Sequence, residues 1–466
     1  MMYKQTFCRL LLSAVAILGL SIMNIKAQEK PNIVFILADD LGYTDLGCYG
    51  NPFNETPHLD SLAQTGMKFT QAYSSSPVCS PSRAGILTGL HPARLQLTNF
   101  LVGDRIDPAS PVLPAEWKKY LSSGETTLAE ILRAKQYECG MVGKWHLGTA
   151  DSLLASAQGF TYERMIARNG LDYYNYSITS KNKTVFEDHG DSYLTDKLTD
   201  YGVEFIRQNR DKPFFLYLAY SAPHVVLTPR GDKLRKYFFK YEKFNRVYNP
   251  NYAAMLESLD DGVGRILQTL KEMQLEDNTL IIFTSDNGGV GLPELGPTPT
   301  SLAPLRAWKG HVYEGGIRVP LILNWPQEIQ PAQINDNYVS NLDFFPTFLD
   351  ILEIKSMARK LDGKSMLSTW LNPAATFDRG PVYWHYPHFS NQLGRPAGAI
   401  RNGKFKLVES YESGKIELFN LADDVEEKTD LSEKYPEKVK ELLSDLRSWQ
   451  KDVKANMPKP NPGYKK

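Results

Sequence analysis

The stretch from Cys79 to Gly89 combines a thiol, a guanidinium and two glycines in a short span. A proline two positions after the thiol lacks a backbone N–H, so we expect a short helix here, with Gly85 and Gly89 allowing close backbone packing. A helix N-terminus favours an anion and lowers the pKa of a thiol. Arg83 lies four residues after Cys79, so its planar guanidinium could contact the same anion through two hydrogen bonds. The pattern predicts an oxyanion site, with a buried inert cysteine as the open alternative.

Oxygen-bearing side chains follow two apolar runs. Asn32 to Ala38 is apolar without alternation, as in a strand buried on both faces of a parallel sheet, and it ends in Asp39-Asp40. Leu280 to Thr284 resembles it and is followed by Asp286-Asn287. Ligand groups collect at the carboxyl ends of such strands, although adjacent carboxylates also form turns and helix caps. Oxygen ligands suit a hard cation, and we expect Ca²⁺, with Mg²⁺ possible.

Two further strand ends and one glycine-rich loop carry cations and imidazoles. Lys144 and His146 follow the predicted strand at 138–142, and His224 follows the one at 213–219. Lys309 precedes a Glu-Gly-Gly sequence and a strand predicted at 319–325. A solvated lysine and structural histidines are the alternatives. Together with the guanidinium, these residues could hold a tetrahedral anion and move protons around it.

Length and composition limit the class of protein. At 466 residues the chain predicts a large domain and a smaller one. Lys plus Arg and Asp plus Glu both number 53, so no basic excess favours nucleic acid. Residues 1–27 have the basic start and short apolar run of a cleaved signal peptide, and no segment is long enough to span a membrane. We therefore expect an exported protein, periplasmic or secreted, in which Cys48 and Cys139 stay unpaired.

The remaining chain predicts how the elements are arranged. Residues 28–375 are expected to form the catalytic domain, and residues 376–466 a C-terminal subdomain. Hairpin turns at Asn402-Gly403 and Ser413-Gly414 indicate a small antiparallel sheet there, followed by a helix near 439–453. We expect the tyrosine-rich segment 149–193 to be irregular and to face a substrate, and the basic, aromatic segment 230–246 to be a solvated loop.

The motifs in this order resemble the type I sulfatases. The resemblance rests on Asp39-Asp40, Cys79 to Gly89, Gly143 to Gly148, Ala222 to His224, Asp286 to Gly288, and Lys309 with Tyr313 to Gly316. It implies an alkaline-phosphatase-like α/β sandwich with a large, mostly parallel mixed sheet, plus a small C-terminal α+β subdomain. It also implies that a formylglycine-generating enzyme oxidises Cys79 to formylglycine. The aldehyde hydrate would attack sulfur with one hydroxyl, and the other would then lose a proton to expel sulfate.

The resemblance also implies roles for individual residues. The metal ligands would be Asp39, Asp40, Cys79, Asp286 and Asn287. Arg83, Lys144 and Lys309 would supply charge to the sulfate, His224 would protonate the leaving group, and His146 would act as the base. We expect a sulfated carbohydrate as substrate, and galactose sulfate or N-acetylgalactosamine sulfate is the first candidate that the resemblance suggests. The side chains that could recognise it are Asn99, Arg105, His385, His388 and Arg395.

Two rival functions remain open on the sequence alone. A phosphodiesterase or phosphonate monoester hydrolase of the same superfamily could use the same aldehyde with a different metal. A sulfated-glycan binder without catalysis would leave Cys79 unconverted.

Overall fold

A computed structural model describes residues 30–167, 172–292, 299–300, 302–355 and 357–464. The predicted signal peptide lies outside these ranges, and residues 31–466 form one compact unit. None of the described helices is long and apolar enough to cross a membrane. The strands are β1 Asn32–Ala38, β2 Met67–Tyr73, β3 Val112–Leu113, β4 Glu138–Gly143, β5 Tyr162–Ile166, β6 Asn175–Ser180, β7 Lys183–His189, β8 Phe214–Ala219, β9 Thr279–Ser285, β10 Arg318–Asn324, β11 Gln333–Ser340, β12 Val382–Tyr386, β13 Ala397–Asn402, β14 Phe405–Ser410, β15 Ile416–Asn420 and β16 Lys459–Pro460.

A ten-stranded mixed sheet forms the centre of the unit, in the order β11-β2-β10-β9-β1-β8-β4-β5-β6-β7. Strands β9, β1, β8, β4 and β5 run parallel to one another. The α-helices are Pro57–Gln64, Cys79–Thr88, Pro92–Leu95, Leu128–Ala134, Leu194–Gln208, Gly231–Lys243, Pro250–Glu272, Glu314–Ile317, Phe344–Ile351, Leu367–Leu371 and Pro436–Asp452.

Strand β1 is buried on both faces, as its continuous apolar run predicts. Ile33, Phe35 and Leu37 pack into the core that holds the Cys79–Thr88 helix. Val34 and Ile36 pack into the opposite core, beneath the Pro250–Glu272 helix. Helices therefore cover both faces of the sheet, and the polar groups at its strand ends lie at the rim of two apolar layers.

The C-terminal part forms the predicted antiparallel sheet, in the order β12-β13-β14-β15. The turn between β13 and β14 includes Gly403 at a φ of 59°, which favours glycine. One face of this sheet packs on the Pro436–Asp452 helix. The other face packs on residues of the large part, including Tyr73 and Val312, so the small sheet is joined to the loops of the site.

Two expectations about local structure in the middle of the chain are wrong, those of an irregular segment and of a loop. Segment 149–193 contains β5, β6 and β7, which extend one edge of the large sheet. Lys181 and Asn182, both at positive φ, form the turn between β6 and β7, and no glycine in this turn signals a hairpin in the sequence. Segment 230–246 contains the Gly231–Lys243 helix. Its buried Tyr237 packs with Leu234 and Tyr241. These three residues have helical spacing, but the many charged residues between them made the segment resemble a solvated loop. Cys48 and Cys139 are unpaired, as expected.

Candidate active site

Four neighbouring parallel strands bring the predicted side chains together. Strands β9, β1, β8 and β4 are adjacent, and their carboxyl ends lie in register, with Ala38 beside Ser285 and Ala219 beside both Leu37 and Gly143. The predicted metal ligands follow β1 and β9, and the predicted cation and histidines follow β4 and β8. Residues far apart in the chain therefore meet at one edge of the sheet.

Cys79 is the first residue of a helix whose ten residues are all buried. Its Sγ lies 3.5 Å from Asp39 Oδ1 and 3.8 Å from Asp40 Oδ1. Gly85 permits the close packing, since a Cβ there would lie 2.6 Å from Ser75 Oγ. Burial raises the pKa of the Cys79 thiol, against the charges of two nearby lysines. Desolvation thus outweighs the lowering that the helix N-terminus predicted, and the thiol stays protonated at neutral pH.

The predicted metal ligands form one buried cluster. Asp39, Asp40 and Asp286 have no solvent exposure. Asp286 Oδ1 accepts a hydrogen bond from the backbone N–H of Asp40, and Asn287 Nδ2 donates to Asp40 Oδ1 at 2.7 Å. Ligand atoms of Asp39, Asp40, Cys79 and His224 lie within 4.8 Å of one another. Such a density of carboxylate oxygens is stable only with positive charge nearby.

Three cations surround these carboxylates. Lys144 Nζ lies 2.5 Å from Asp39 Oδ2, and Lys309 Nζ lies 2.6 Å from Asp40 Oδ2. Arg83 directs Nε and Nη2 to Asp286 Oδ2, both at 2.8 Å, and Nη1 to the carbonyl of Lys144 at 2.7 Å. Burial acts to raise the pKa of Asp39, but the positive charges around it outweigh burial and hold that pKa well below its usual value.

The two histidines are partly exposed, unlike the carboxylates of the cluster. His224 Nε2 is 3.4 Å from Asp40 Oδ2, and its Nδ1 contacts the carbonyl oxygen of Val225. Burial lowers the pKa of His224, with Asp40 acting in the opposite direction. His146 Nδ1 is buried without a hydrogen-bond partner among the described residues. Burial, with the charges of Lys144 and Arg83, holds the pKa of His146 well below its usual value, so this ring is neutral at pH 7.

Two glycine-rich segments interlock to place Lys309. A Cβ on Gly288 would lie 2.0 Å from the carbonyl oxygen of Gly315, so only glycine fits there. Gly288 donates its N–H to the carbonyl of Gly316, and Lys309 donates its N–H to that of Gly289. The backbone of one motif thus supports the other, which fixes the lysine beside the carboxylates.

The predicted substrate-binding residues have different surroundings. His385 is buried, and its ring nitrogens contact the Tyr411 hydroxyl and the Asn456 carbonyl. His388 is also buried, and its Nε2 lies 2.8 Å from Thr98 Oγ1. Burial lowers the pKa of His385 to about 4 and that of His388 to about 3, so both rings are neutral.

Among the other three predicted residues, Asn99 contacts a tyrosine that sequence reasoning missed, whereas Arg105 and Arg395 are exposed. Asn99 Oδ1 accepts from the hydroxyl of buried Tyr386 at 3.2 Å. Burial raises the pKa of Tyr386, while the charges of the active-site Lys309 and of exposed Arg105 act to lower it. Arg395 pairs with two surface carboxylates, those of Asp107 and Glu412.

Tyr173 and Asn341 are two further supporting residues that the sequence did not single out. The buried Tyr173 hydroxyl donates to the carbonyls of Ser221 and His224, and so holds the loop that carries the histidine. Asn341 Nδ2 donates to Ser82 Oγ at 2.8 Å, while its Oδ1 accepts from the N–H of Ser75. Both bridge distant segments, so no local sequence pattern marks them.

Comparisons with known proteins show which family the chain resembles. The family described as Sulfatase matches residues 31–354, and that described as N-sulphoglucosamine sulphohydrolase, C-terminal, matches residues 307–455. A sulfatase of Formosa agariphila is 32% identical, with 93% of this chain and 90% of the relative covered. The N-acetylgalactosamine-6-sulfatase of Rattus norvegicus is also 32% identical, with 85% and 74% covered. The crystal structure of Ps i-CgsB in complex with k-i-k-neocarrahexaose has a TM-score of 0.76 at 28% identity, with 90% of this chain and 93% of that chain covered.

The alkaline-phosphatase-like architecture that the resemblance implied is confirmed by the mixed central sheet and the small antiparallel C-terminal sheet. The matched family covers the strand ends that carry the buried carboxylates and cations. From the site and the matches together, the chain belongs to the sulfatase family of sulfuric ester hydrolases.

Proposed function

We propose that this enzyme hydrolyses sulfate esters of carbohydrates, using formylglycine made from Cys79 and a bound calcium ion. The observation that carries the proposal is the placement of Cys79 Sγ within 4 Å of two buried aspartates, which are themselves in contact with two lysines. The residues proposed as nucleophile, cation ligands and anion-binding cations thus lie in one cluster, which supports the proposal.

Position 79 needs a modification to act as a nucleophile. Its thiol is desolvated and has a raised pKa, so little thiolate exists at neutral pH. Oxidation to formylglycine supplies an aldehyde whose hydrate offers a hydroxyl nucleophile. The buried helix holds this position rigidly, because Asn341 and the glycine at 85 fix its start and its packing.

Lys144 and Lys309 provide positive charge where sulfate oxygens would bind. Carboxylates raise the pKa of both ammonium groups despite burial, so both stay charged in the working pH range. Preorganised charge of this kind stabilises the oxygens of a tetrahedral transition state. Arg83 contacts Asp286 and the Lys144 backbone, which supports a role in holding a ligand and a lysine in place.

The two histidines have positions suited to proton transfer. His224 is partly exposed and faces Asp40, which supports its proposed role as donor to the leaving oxygen. His146 is neutral, and its Nδ1 has no hydrogen-bond partner in the part of the chain that the structure describes, which supports its proposed role as base. Each such group typically contributes a factor of about 10²–10⁴ to the rate.

The donor set fits a hard divalent cation. Asp39, Asp40, Asp286 and Asn287 present oxygen atoms, and Asn287 Oδ1 is buried without a hydrogen-bond partner among the described residues. An amide oxygen left unsatisfied beside three carboxylates is an expected feature of a cation site. Calcium held there would neutralise the carboxylates and supply positive charge to the anionic substrate.

The substrate proposal rests on the relatives. One is named for N-acetylgalactosamine 6-sulfate, and the structure of Ps i-CgsB holds a neocarrahexaose. These names support a sulfated carbohydrate, with galactose or N-acetylgalactosamine sulfate as the first compounds to test. We also propose that the protein is exported and that a formylglycine-generating enzyme is its maturation partner.

The first experiment measures the mass of the Cys79 peptide from protein produced with a maturing enzyme. Conversion to formylglycine removes about 18 Da and creates the nucleophile. The converted protein is then incubated with calcium and a panel of sulfated galactose and N-acetylgalactosamine sugars, and sulfate release is measured. Faster hydrolysis of a phosphodiester than of every sulfate ester would favour the phosphoryl-transfer rival. Binding without turnover, after confirmed conversion, would favour the glycan binder.

A further inference from the structure

The Gly231–Lys243 helix has an outer face that combines aromatic and cationic side chains. Arg235, Phe238, Phe239 and Lys243 recur at helical spacing and are all exposed. Phe238 is 54% exposed and Phe239 is 71% exposed, values that are unusual for large apolar side chains. We call these four residues the outer face.

The outer face does not hold the helix to the protein. The opposite side does so, because Tyr237 is fully buried and packs with Leu234 and Tyr241 against Phe53. Exposed phenylalanines therefore add nothing to that packing, and their rings are open to a ligand. The helix is a supported platform that presents them in fixed positions.

The cations of this segment divide into paired and unpaired groups. Residues 230–246 carry seven Lys or Arg and two Asp or Glu. Lys236 pairs with Glu55 and Glu257, and Lys240 also pairs with Glu55. Arg235 and Lys243 have no ion-pair partner within the part of the chain that the structure describes. The unpaired cations are the two that flank the exposed rings.

We propose that the outer face binds a second stretch of a sulfated glycan chain, away from the residue being desulfated. The apolar faces of sugar rings would pack on Phe238 and Phe239, while Arg235 and Lys243 would pair with sulfate groups. The inference rests on the proposed function, since it assigns a polymeric, repeatedly sulfated substrate to the same enzyme.

The position of the helix suits this role. Its first residue lies seven positions after His224, so the chain limits their separation to about 25 Å. A polysaccharide held in the active site would be at high local concentration near the outer face, so binding at both sites would raise its affinity. The helix itself is about 20 Å long, enough to contact several sugar units.

A membrane surface is the less favoured occupant. Two phenylalanine side chains bury little apolar area, and a single weak anchor gives only marginal membrane binding. A polyanionic sugar matches both the unpaired cations and the flat rings, and it is also the compound class proposed for the active site.

The test uses protein that cannot turn substrate over, so that only binding is measured. In a Cys79→Ala background, binding of fluorescent dextran sulfate is measured by anisotropy, with neutral dextran as the matched ligand. The variants are Phe238→Ser with Phe239→Ser, and Arg235→Gln with Lys243→Gln. The control is Lys183→Gln with Val185→Ser, an exposed cation and an exposed apolar residue on β7. Circular dichroism checks the fold of each.

We expect Arg235→Gln with Lys243→Gln to raise the Kd for dextran sulfate by about two- to twentyfold, because each exposed ion pair contributes a factor of about 1.4 to 5. Phe238→Ser with Phe239→Ser should also raise this Kd, because it removes the apolar rings on which the sugars would pack. Removing the two cations should also make Kd depend less on salt concentration. The control variant should change Kd by less than about twofold. Outer-face variants that bind like the control would overturn the proposal. So would a phenylalanine-dependent affinity for phosphatidylglycerol vesicles with dextran sulfate binding unchanged.

Hydrolysis of sulfated monosaccharides by the parent protein separates this inference from the proposed function. If monosaccharides are cleaved but the variants do not alter dextran sulfate binding, the outer face is excluded and the function stands. If the variants weaken binding but no sulfate ester is cleaved, the surface stands and the function is refuted.

Discussion

Lys406 is a buried cation outside the active site whose removal should weaken the protein in a pH-dependent way. It has no solvent exposure and lies in β14 of the C-terminal sheet. Its Nζ is 2.9 Å from Glu314 Oε1 and 2.9 Å from Glu427 Oε1. Glu427 in turn accepts the backbone N–H of Glu314, and Tyr73 donates to Glu314 Oε2. Lys406 thus ties the small sheet to the loop that follows Lys309.

Replacing Lys406 by Met should destabilise the protein by about 3–5 kcal/mol, because it leaves two buried carboxylates without their shared cation. The entropy of unfolding scales with chain length. In a unit of this size, a loss of about 1 kcal/mol in the free energy of unfolding therefore lowers Tm by about 1 °C. The expected loss in Tm is therefore about 3–6 °C. Since Glu314 begins the short helix after the Lys309 loop, we also expect a fall in kcat.

The deficit should depend on pH in a defined direction. Burial raises the pKa of Glu427 to about 7, against the charge of Lys406. A carboxyl with a raised pKa stabilises the fold below its ordinary pKa, and this contribution is lost as the pH rises through about 7. Without Lys406 the protonated form is favoured further. The Tm deficit should therefore be larger at pH 8 than at pH 5.5.

The assay is thermal unfolding of parent, Lys406→Met and Lys406→Met with Glu427→Gln at both pH values. Glu427→Gln removes one uncompensated charge at nearly constant volume, so it should recover part of the Tm in the Met background, and more at pH 8. Equal Tm values for parent and Lys406→Met, or no recovery in the double variant, would show that the buried charge network does not contribute as described.

Three predictions concern the active site. Cys79→Ala should retain the fold and lose turnover, and sulfate release near the parental rate would exclude the covalent mechanism. His224→Ala should lower kcat by about 10²–10⁴ on sugar sulfates but less on activated aryl sulfates; equal losses on both would remove the histidine from the leaving-group role. Removing the ion with a chelator should lower Tm by about 3 °C, if the ion was present at about 100 times its Kd. Added calcium should restore Tm and activity in the parent protein, and should restore them less in Asn287→Ala. A Tm and activity indifferent to chelator and calcium would argue against the metal site.

The amino-acid sequence is enough to predict which of the active-site residues cluster. Continuous apolar runs predict buried parallel strands, and the polar residues just after them were expected at one edge of the sheet. This holds for Asp39, Asp286, Lys144 and His224, because strand burial and the turns that follow are encoded locally. Glycines with special backbone needs, such as Gly403, likewise marked the hairpin correctly.

The atoms that each side chain contacts are visible only in the folded chain. Arg83, for example, directs its fork to Asp286 and to a backbone carbonyl, two partners that its position in the sequence does not name. On β12, neighbouring residues face opposite sides, so Tyr386 lies near Lys309 while His385 points to Tyr411. Such contacts depend on strand order and on packing between segments hundreds of residues apart, and local sequence carries no record of either.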